Sequence, residues 1–353
     1  MNPLSAEIHF TTSLIDAAYL WIIKNRRHYP PDADIWHLRF HWGRERSRIL
    51  SRLNAGKYRL QPLHIIRKAS GEYIALWSSS DALVLKMLTD TLQPHLPVHS
   101  RCEHVQGHGG GKDSTRRVHD HLLQHGTPFV FRTDIKGYYA SINKRRLYNQ
   151  LTRYVQHPIL LNLLWQFLHY SVEDGGNFHT PSRGISRGSS LSPLLAAFHL
   201  YDLDSHFAKN TRVRYARYMD DFIILAPTRW TLRRAVRDLK RALNDNGFSL
   251  HPDKTQLGKT ERGFDWMGLW FTKRGIHSIA PRAFSKHLLH CRRLYEQIRH
   301  LKAHHQDERM ALYRRRFYAA LTPAGFRGEP YRSTSLNGAN AQNTQPAAST
   351  DTL

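Results

Sequence analysis

The chain has 353 residues, with 52 Lys and Arg against 28 Asp and Glu, which leaves a formal net charge of +24 before any of its 24 His is protonated. Hydrophobic residues make up 41% of the sequence, enough to fill a core, so a wholly disordered chain is excluded. So large a positive charge predicts a polyanionic partner, most often nucleic acid. Two cysteines are too few for a disulfide framework, and no apolar run has the length of a membrane span. We therefore expect a cytoplasmic nucleic-acid-binding protein with no membrane partner.

The N-terminal part of the sequence predicts helices followed by a pair of strands. Apolar residues recur at helical spacing over 6–56 and again over 81–95. Strand-like segments lie between them, at 60–66 and 73–76, joined by a turn. Residues 106–112 are rich in glycine and are expected to form a basic loop in which Lys112 contacts phosphates.

Two patterns in the sequence are similar to an NTPase phosphate loop and to a zinc site, but each lacks residues that such a site needs. The loop ending at Lys112 lacks the first glycine and the metal-binding hydroxyl of an NTPase phosphate loop, because Gln106 and Asp113 stand there. Histidines also cluster without the cysteines that usually complete a zinc site, so we expect them to be solvated or to contact phosphates; they are His119, His121, His125, His300, His304 and His305.

The rest of the sequence alternates strands and helices. A buried strand is predicted at 127–135, a helix at 144–170 and a β-hairpin at 213–225, and a helix ended by Asn246 and Gly247 follows. The last predicted elements are short strands at 248–250, 264–271 and 276–279, a basic helical region at 282–320, and a disordered tail from 329. Within the helical region Arg314, Arg315 and Arg316 are expected to contact a nucleic-acid backbone. The fold class predicted is α+β.

Three carboxylates stand where the predicted strands end or turn. Asp134 closes the strand at 127–135, and Asp220 and Asp221 lie at the turn of the hairpin. Acidic groups beside buried strands are costly unless a cation pairs with them. One solution is a pair of Mg²⁺ ions roughly 3.5–4 Å apart, held by carboxylates from separate segments, which is typical of phosphoryl transfer. Taken alone, a Tyr-x-Asp-Asp sequence is more typical of an ordinary hairpin turn than of a metal site.

The order of the motifs around these carboxylates favours the metal site. Over about residues 40–320 the chain resembles bacterial reverse transcriptases of the group II intron and retroelement kind, through five motifs at 133–142, 184–193, 218–221, 247–255 and 264–269. The resemblance implies a right-hand polymerase with fingers, palm and thumb, which copies RNA into DNA with two Mg²⁺ ions, or Mn²⁺ in their place. By the same resemblance the metal ligands are Asp134, Asp220, Asp221 and the backbone of Ile135.

The resemblance also implies how the nucleotide is bound. Tyr139 matches the aromatic residue that blocks a ribose 2′-hydroxyl and so selects dNTPs. Arg187 and Gly188 belong to the motif that shapes the nucleotide pocket, although the family usually has Gln where Arg187 stands. The expected phosphate-binding residues are Lys254, Arg67 and Lys68.

The resemblance further implies domains, partners and a setting. The expected domains are an N-terminal helical extension (1–40), fingers and palm (41–280), a basic helical thumb (281–328) and a disordered tail (329–353). Partners would be an RNA template, a DNA primer and product, dNTPs and, as an open alternative, a dedicated non-coding RNA. From the length we expect a free-standing enzyme without an endonuclease domain, in phage defence or a mobile element.

Two other functions stay open. One is a template-independent nucleotidyltransferase that uses the same metals, and the other is a non-catalytic RNA-binding or splicing-assisting protein. Loss of activity in Asp220→Asn would exclude the second.

Overall fold

The computed structural model describes residues 9–67, 73–105 and 107–322. The first elements are helices and one pair of strands. They are α1 (Thr12–Arg26), α2 (Asp34–Phe40), α3 (Trp42–Asn54), β1 (Leu63–Arg67), β2 (Tyr73–Leu76), α4 (Ser79–Leu92) and α5 (Gly110–His125). Thr11 caps α1, because its hydroxyl accepts a hydrogen bond from the Leu14 N–H at 3.3 Å.

The central part of the chain contains the predicted hairpin and the helices that cover it. These elements are β3 (Phe129–Asp134), α6 (Tyr138–Ser141), α7 (Lys144–Leu151), α8 (Pro158–Leu168), β4 (Val172–Asp174), β5 (Asn177–His179), α9 (Leu191–His199), α10 (Tyr201–Lys209), β6 (Arg214–Tyr218), β7 (Asp221–Ala226) and α11 (Arg229–Asp245). After them come a 3₁₀ turn (Pro252–Lys254) and β8 (Gln256–Lys259). The combination of helices with mainly antiparallel strands confirms the α+β prediction.

The central sheet has the strand order β6-β7-β3-β8, and every neighbouring pair is antiparallel. The apolar run of β7, residues 222–226, is buried throughout. Helix α11 packs on β7 and β3 and buries one stripe of its surface, made of Leu232, Ala235, Val236, Leu239 and Leu243. The burial of successive residues in β7 explains why this strand reads as a continuous apolar run.

A second sheet has the order β2-β1-β4-β5, and in it β1 and β4 run parallel. The hairpin of β4 and β5 was not predicted from the sequence. Its strands have three residues each, too few for an alternating pattern to show. Gly175 and Gly176, which both have positive φ, form its turn.

The chain divides into two compact units. The first runs up to Ser114 and resumes at Thr127–Lys259, and the second contains Thr115–Gly126 and the chain from Thr260 onward. Besides most of α5, the described part of the second unit has a three-stranded sheet of order β11-β10-β9 and two further helices. Its elements are a 3₁₀ turn (Thr260–Arg262), β9 (Phe264–Trp266), β10 (Leu269–Thr272), β11 (Gly275–Ile279), α12 (Pro281–Ile298) and α13 (Ala303–Leu321).

Several predicted elements differ from the structure. The helix expected over 144–170 is two helices, because Pro158 lacks an N–H and begins α8. The segment 248–250 is not a strand, and only Leu250 forms a bridge, with Ile135. The glycine-rich segment is not a loop as far as Lys112, since α5 already begins at Gly110. The predicted tail lies outside the described residues, among which no helix has both the length and the apolar character to cross a membrane.

Candidate active site

The backbone of the central sheet brings the three carboxylates together. Asp134 at the end of β3 is the register partner of Asp221 at the start of β7. Asp220 lies in the turn before β7, and its carbonyl accepts a hydrogen bond from the Ile135 N–H at 3.0 Å. On the other side, the His251 N–H donates to the Asp134 carbonyl at 2.7 Å. Residues far apart in sequence therefore meet at one end of the sheet.

Two cationic side chains contact this carboxylate cluster. Asp134 is 2% exposed, and the Lys254 ammonium group forms an ion pair with its carboxylate. Arg132 donates from Nη2 to Asp221 Oδ1 at 2.9 Å and from Nη1 to the Lys254 carbonyl at 3.2 Å. Three carboxylates against two cations leave a local excess of negative charge.

That excess changes the acidity of the hairpin carboxyls. Burial raises the pKa of Asp220, and the negative charge of Asp134 raises it further. Burial also raises the pKa of Asp221 to about 6, against the lowering effect of Arg132. Both shifts arise because negative charge is held close together away from water. A divalent cation would relieve this repulsion, so the donor set of hard oxygens fits Mg²⁺.

Hydrogen bonds to the N–H and to the carbonyl of Met219 hold the turn that carries Asp220. Met219 has φ of 55°, which is the left-handed region and unfavourable for a residue with a side chain. Its N–H donates to His104 Nδ1 at 3.0 Å, and its carbonyl accepts from Arg217 Nη1 at 2.9 Å. The two contacts stabilise a strained backbone next to a predicted metal ligand.

Arg217 itself is anchored in the core. It forms an ion pair with Asp204 of α10, and both side chains are 0% exposed. Arg217 Nε donates to Asp204 Oδ1 at 2.9 Å, and the Tyr215 hydroxyl donates to the same oxygen at 2.6 Å. The guanidinium also donates to the Ala197 carbonyl at 3.1 Å. A buried charge that is paired in this way fixes its own position and therefore the position of the turn.

The predicted nucleotide-pocket residues meet beside the carboxylates. The Tyr139 carbonyl accepts a hydrogen bond from the Ile185 N–H at 2.9 Å. Burial raises the pKa of Tyr139 to about 12, and the charge of Asp220 acts in the same direction, whereas Arg187 lowers it. Gly184 has φ of +85°, and a Cβ there would lie 2.8 Å from the Ala140 backbone. Only glycine lets this loop approach α6 so closely.

The other residues predicted to bind the nucleotide or the nucleic acid lie in several different elements. Gly188 has a positive φ of 80°, and Arg187 beside it is exposed. Lys112 is exposed in the first turn of α5. Arg67 is the last residue of β1, and Lys68 lies outside the described residues. In the second unit, the exposed residues of α13 include Arg314, Arg315 and Arg316.

Four residues of the site were not singled out in the sequence: Arg132, His104, Asp204 and Arg217. Arg217 stands in a strand with Tyr215 and Ala216, and an arginine within a buried strand is a usable signal that a carboxylate faces it. His104 and Asp204 gave no such signal, since each contacts its partner, Met219 or Arg217, from another segment of the chain.

Comparison with known proteins shows which family and which individual proteins the chain is similar to. The family described as "Reverse transcriptase (RNA-dependent DNA polymerase)" matches residues 66–271. Protein YkfC of Escherichia coli is 23% identical over 174 residues, which cover 40% of this chain and 46% of that protein. The putative COX1/OXI3 intron 1 protein of Saccharomyces cerevisiae is 20% identical over 161 residues, covering 42% of this chain and 18% of that protein. The chain thus spans less than half the length of either relative.

Telomerases are among the solved structures to which the chain shows a low similarity. Telomerase from Candida albicans, solved with a fragment of telomeric RNA, aligns with a TM-score of 0.49 and 15% identity, over 75% of this chain and 54% of the telomerase. A truncated apo telomerase from Candida tropicalis gives a TM-score of 0.48 and 14% identity, over 62% of this chain and 54% of that chain.

Proposed function

The chain belongs to the reverse transcriptase (RNA-dependent DNA polymerase) family of right-hand polymerases, and from that premise we propose that it extends a DNA primer with dNTPs along an RNA template. The observation that carries this proposal is the meeting of Asp134, Asp220 and Asp221 at the end of the central sheet. Carboxylates in this arrangement suit phosphoryl transfer and would repel the backbone of a nucleic acid that was merely bound.

Asp134, Asp220 and Asp221 would hold two divalent cations, Mg²⁺ by preference, with the backbone of Ile135 as a further ligand. Bound ions of this kind activate the attacking oxygen and stabilise charge on the leaving oxygen. Arg132 keeps Asp221 oriented through its 2.9 Å hydrogen bond. Lys254, whose side chain is 41% exposed, neutralises part of the cluster and extends its charge towards nucleotide phosphates.

Tyr139 would pack against the sugar of the incoming nucleotide and exclude a 2′-hydroxyl. Its backbone is fixed by the Ile185 N–H and by the close approach of Gly184, which supports a rigid wall at this point. Arg187 lies close enough for its charge to act on Tyr139. Arg187 would therefore add a permanent positive charge to the nucleotide pocket, and Gly188 would help to shape the pocket beside it.

We base the proposed biological setting on the relatives. The yeast relative is described as an intron protein, which supports a role in a mobile element. A role in phage defence fits the same chemistry, as does a dedicated non-coding RNA as the template. In either setting the enzyme would act in the cytoplasm.

Primer extension with Asp220→Asn tests the proposal. The reaction contains a primed RNA template, Mg²⁺ and dNTPs, and parallel reactions omit the template or add a chelator. We expect template-dependent extension that falls by several orders of magnitude in Asp220→Asn, because a metal ligand is lost. Asp202→Asn, which changes an exposed carboxylate on α10, is the matched control and should extend normally.

The other outcomes assign the two remaining functions. Incorporation that ignores the template would indicate a template-independent nucleotidyltransferase, for which the position of Arg187 is the supporting feature. Full activity of Asp220→Asn in cells, with no incorporation in solution, would instead indicate a non-catalytic RNA-binding protein.

A further inference from the structure

A basic cavity lies in the first unit, away from the carboxylates. It is open, has a volume of about 700 Å³, and is lined by residues from the end of α10, the segment before β6 and the start of α11. Its volume is within the roughly 300–1,000 Å³ that ligand sites span.

The topology places this cavity at the opposite end of the central sheet from Asp220. Arg212 precedes β6, and Trp230 follows β7. β6 leads to the carboxylate turn and β7 leads away from it, and each has five or six residues. At about 3.3 Å per residue the two sites are therefore separated by roughly 15–20 Å. The cavity therefore lies apart from the carboxylate cluster.

Trp230 is the most distinctive residue of the cavity. It is 75% exposed, although it is the second residue of a helix whose opposite face is buried in the core. The guanidinium of Arg233 lies 5.4 Å from the centre of its ring. Trp230 thus contributes little to the core, and it presents a large aromatic surface next to a cation. Such a surface is suited to stacking with a nucleobase.

The charges around Trp230 suit a phosphate backbone. Lys209, Arg212 and Arg234 line the cavity and are exposed. The one carboxylate in the lining, Asp238, forms an ion pair with Arg237 at 3.7 Å. The cavity is therefore cationic around an exposed aromatic ring, which is the combination that binds single-stranded nucleic acid.

We propose that this cavity binds a single-stranded segment of RNA outside the active site. A base stacks on Trp230, and the neighbouring phosphates contact Arg212 and Arg234. A paired strand is disfavoured, because its bases are already stacked and unavailable to Trp230. The choice of RNA over DNA rests on the proposed function: the DNA product is paired with its template, whereas the template beyond the duplex is single-stranded.

Photo-cross-linking tests the position of the bound strand. A short oligouridine that contains 5-iodouridine is irradiated with the full-length Asp220→Asn protein, without dNTPs, so the result does not depend on polymerase activity. Trypsin cuts after Arg229 and Arg233, so we expect the RNA adduct on the peptide Trp230–Arg233. Adducts confined to other peptides would overturn the proposal. Labelling as strong with the matching deoxyoligonucleotide would overturn the assignment to RNA.

Affinity measurements separate stacking from charge. Binding of the same oligouridine is followed by anisotropy at several salt concentrations, with the active site first saturated by an RNA–DNA duplex. Trp230→Ala should weaken binding roughly tenfold, with an unchanged salt dependence. Arg234→Ala should reduce the slope of log K against log salt by about 0.7, the value for one phosphate contact with a single strand.

Two matched variants control for general effects of charge and aromatic area. Lys240→Ala removes an exposed cation from α11 outside the cavity, and Trp165→Ala removes an exposed tryptophan from α8. Both should bind like the unchanged protein. RNA affinity that is the same in Trp230→Ala would contradict the proposal, and it would direct the search to an acidic protein segment as the occupant.

Discussion

At the scale of single residues, His104 is the residue whose role can be tested most sharply. Its Nδ1 accepts the Met219 N–H at 3.0 Å, so the ring proton is on Nε2, which faces the Pro193 carbonyl at 3.3 Å. Burial lowers the pKa of His104, and the nearby charge of Arg217 acts in the same direction, so that the pKa is about 4. A neutral ring with a fixed tautomer thus holds the strained turn before Asp220.

Removing this acceptor should reduce turnover. His104→Leu leaves the Met219 N–H without its partner, which costs about 1–3 kcal/mol. If the turn bears that cost, we expect kcat to fall about tenfold while KM for dNTPs changes little. Steady-state primer extension measures both constants.

The control for His104 is a change that keeps the acceptor. The side-chain oxygen of Asn can occupy nearly the place of Nδ1, so His104→Asn should recover most of the lost turnover. Equal losses in His104→Asn and His104→Leu, with a matching fall in thermal stability, would show that His104 only fills space.

At the scale of secondary-structure elements, the ion pair of Arg217 in β6 with Asp204 in α10 has two separable effects. Asp204→Asn leaves the Arg217 charge buried without its counter-charge, and we expect a loss of about 3–5 kcal/mol in the free energy of unfolding. Asp204→Asn/Arg217→Met removes both charges and should recover much of that loss. The midpoint of urea unfolding measures both variants.

Activity should not recover with stability. Arg217→Met also removes the donor that contacts the Met219 carbonyl at 2.9 Å. The double variant should therefore be stable and yet extend primers poorly. Normal extension by the double variant would show that the ion pair supports the fold alone and has no part in holding the turn.

The elements that were predicted correctly are those with a regular pattern along the chain. The apolar run ending at Asp134, the hairpin around Asp220 and Asp221, and the amphipathic helix α11 could all be read from periodicity. The split at Pro158 and the short β4–β5 hairpin could not, because a few residues with turn chemistry outweigh a weak pattern there.

The carboxylates of the candidate site could be predicted from the sequence in the same way, but the contacts that hold them in place could not. Its carboxylates stand at strand ends, which a sequence pattern can locate. Its supports come from elsewhere: His104 lies 115 residues before Met219, and Lys254 lies 120 residues after Asp134. Such partners are set by the register of the sheet and by the packing of loops, which local sequence does not specify.

At the scale of the whole molecule, stability should depend on pH through one buried histidine in particular. His199, at the end of α9, is 2% exposed, and its Nδ1 lies 2.6 Å from Gln150 Oε1. Its Nε2 has no hydrogen-bond partner within the described part of the chain. Burial lowers the pKa of His199 to about 3, and the charges of Arg146 and Arg217 act in the same direction.

This shift destabilises the fold in acid. Between pH 6.5 and about 3 the unfolded state binds a proton at His199 that the folded state does not. The contribution of His199 is therefore present in full above the unfolded pKa and is lost progressively as the pH falls through this range. At about pH 5 the loss should be about 2 kcal/mol, which urea unfolding at a series of pH values will detect.

The net positive charge of the molecule also lowers its stability in acid. This effect must be measured separately from that of His199. The net charge of +24 grows as other histidines are protonated, and the resulting repulsion opposes the compact state. Added salt screens repulsion between exposed charges but has little effect on a buried ring. In high salt, His199→Phe should thus be less sensitive to acid than the unchanged protein, whereas a change at the exposed His95 should have no such effect. The same acid sensitivity in His199→Phe under these conditions would mean that groups other than His199 determine how the protein responds to pH.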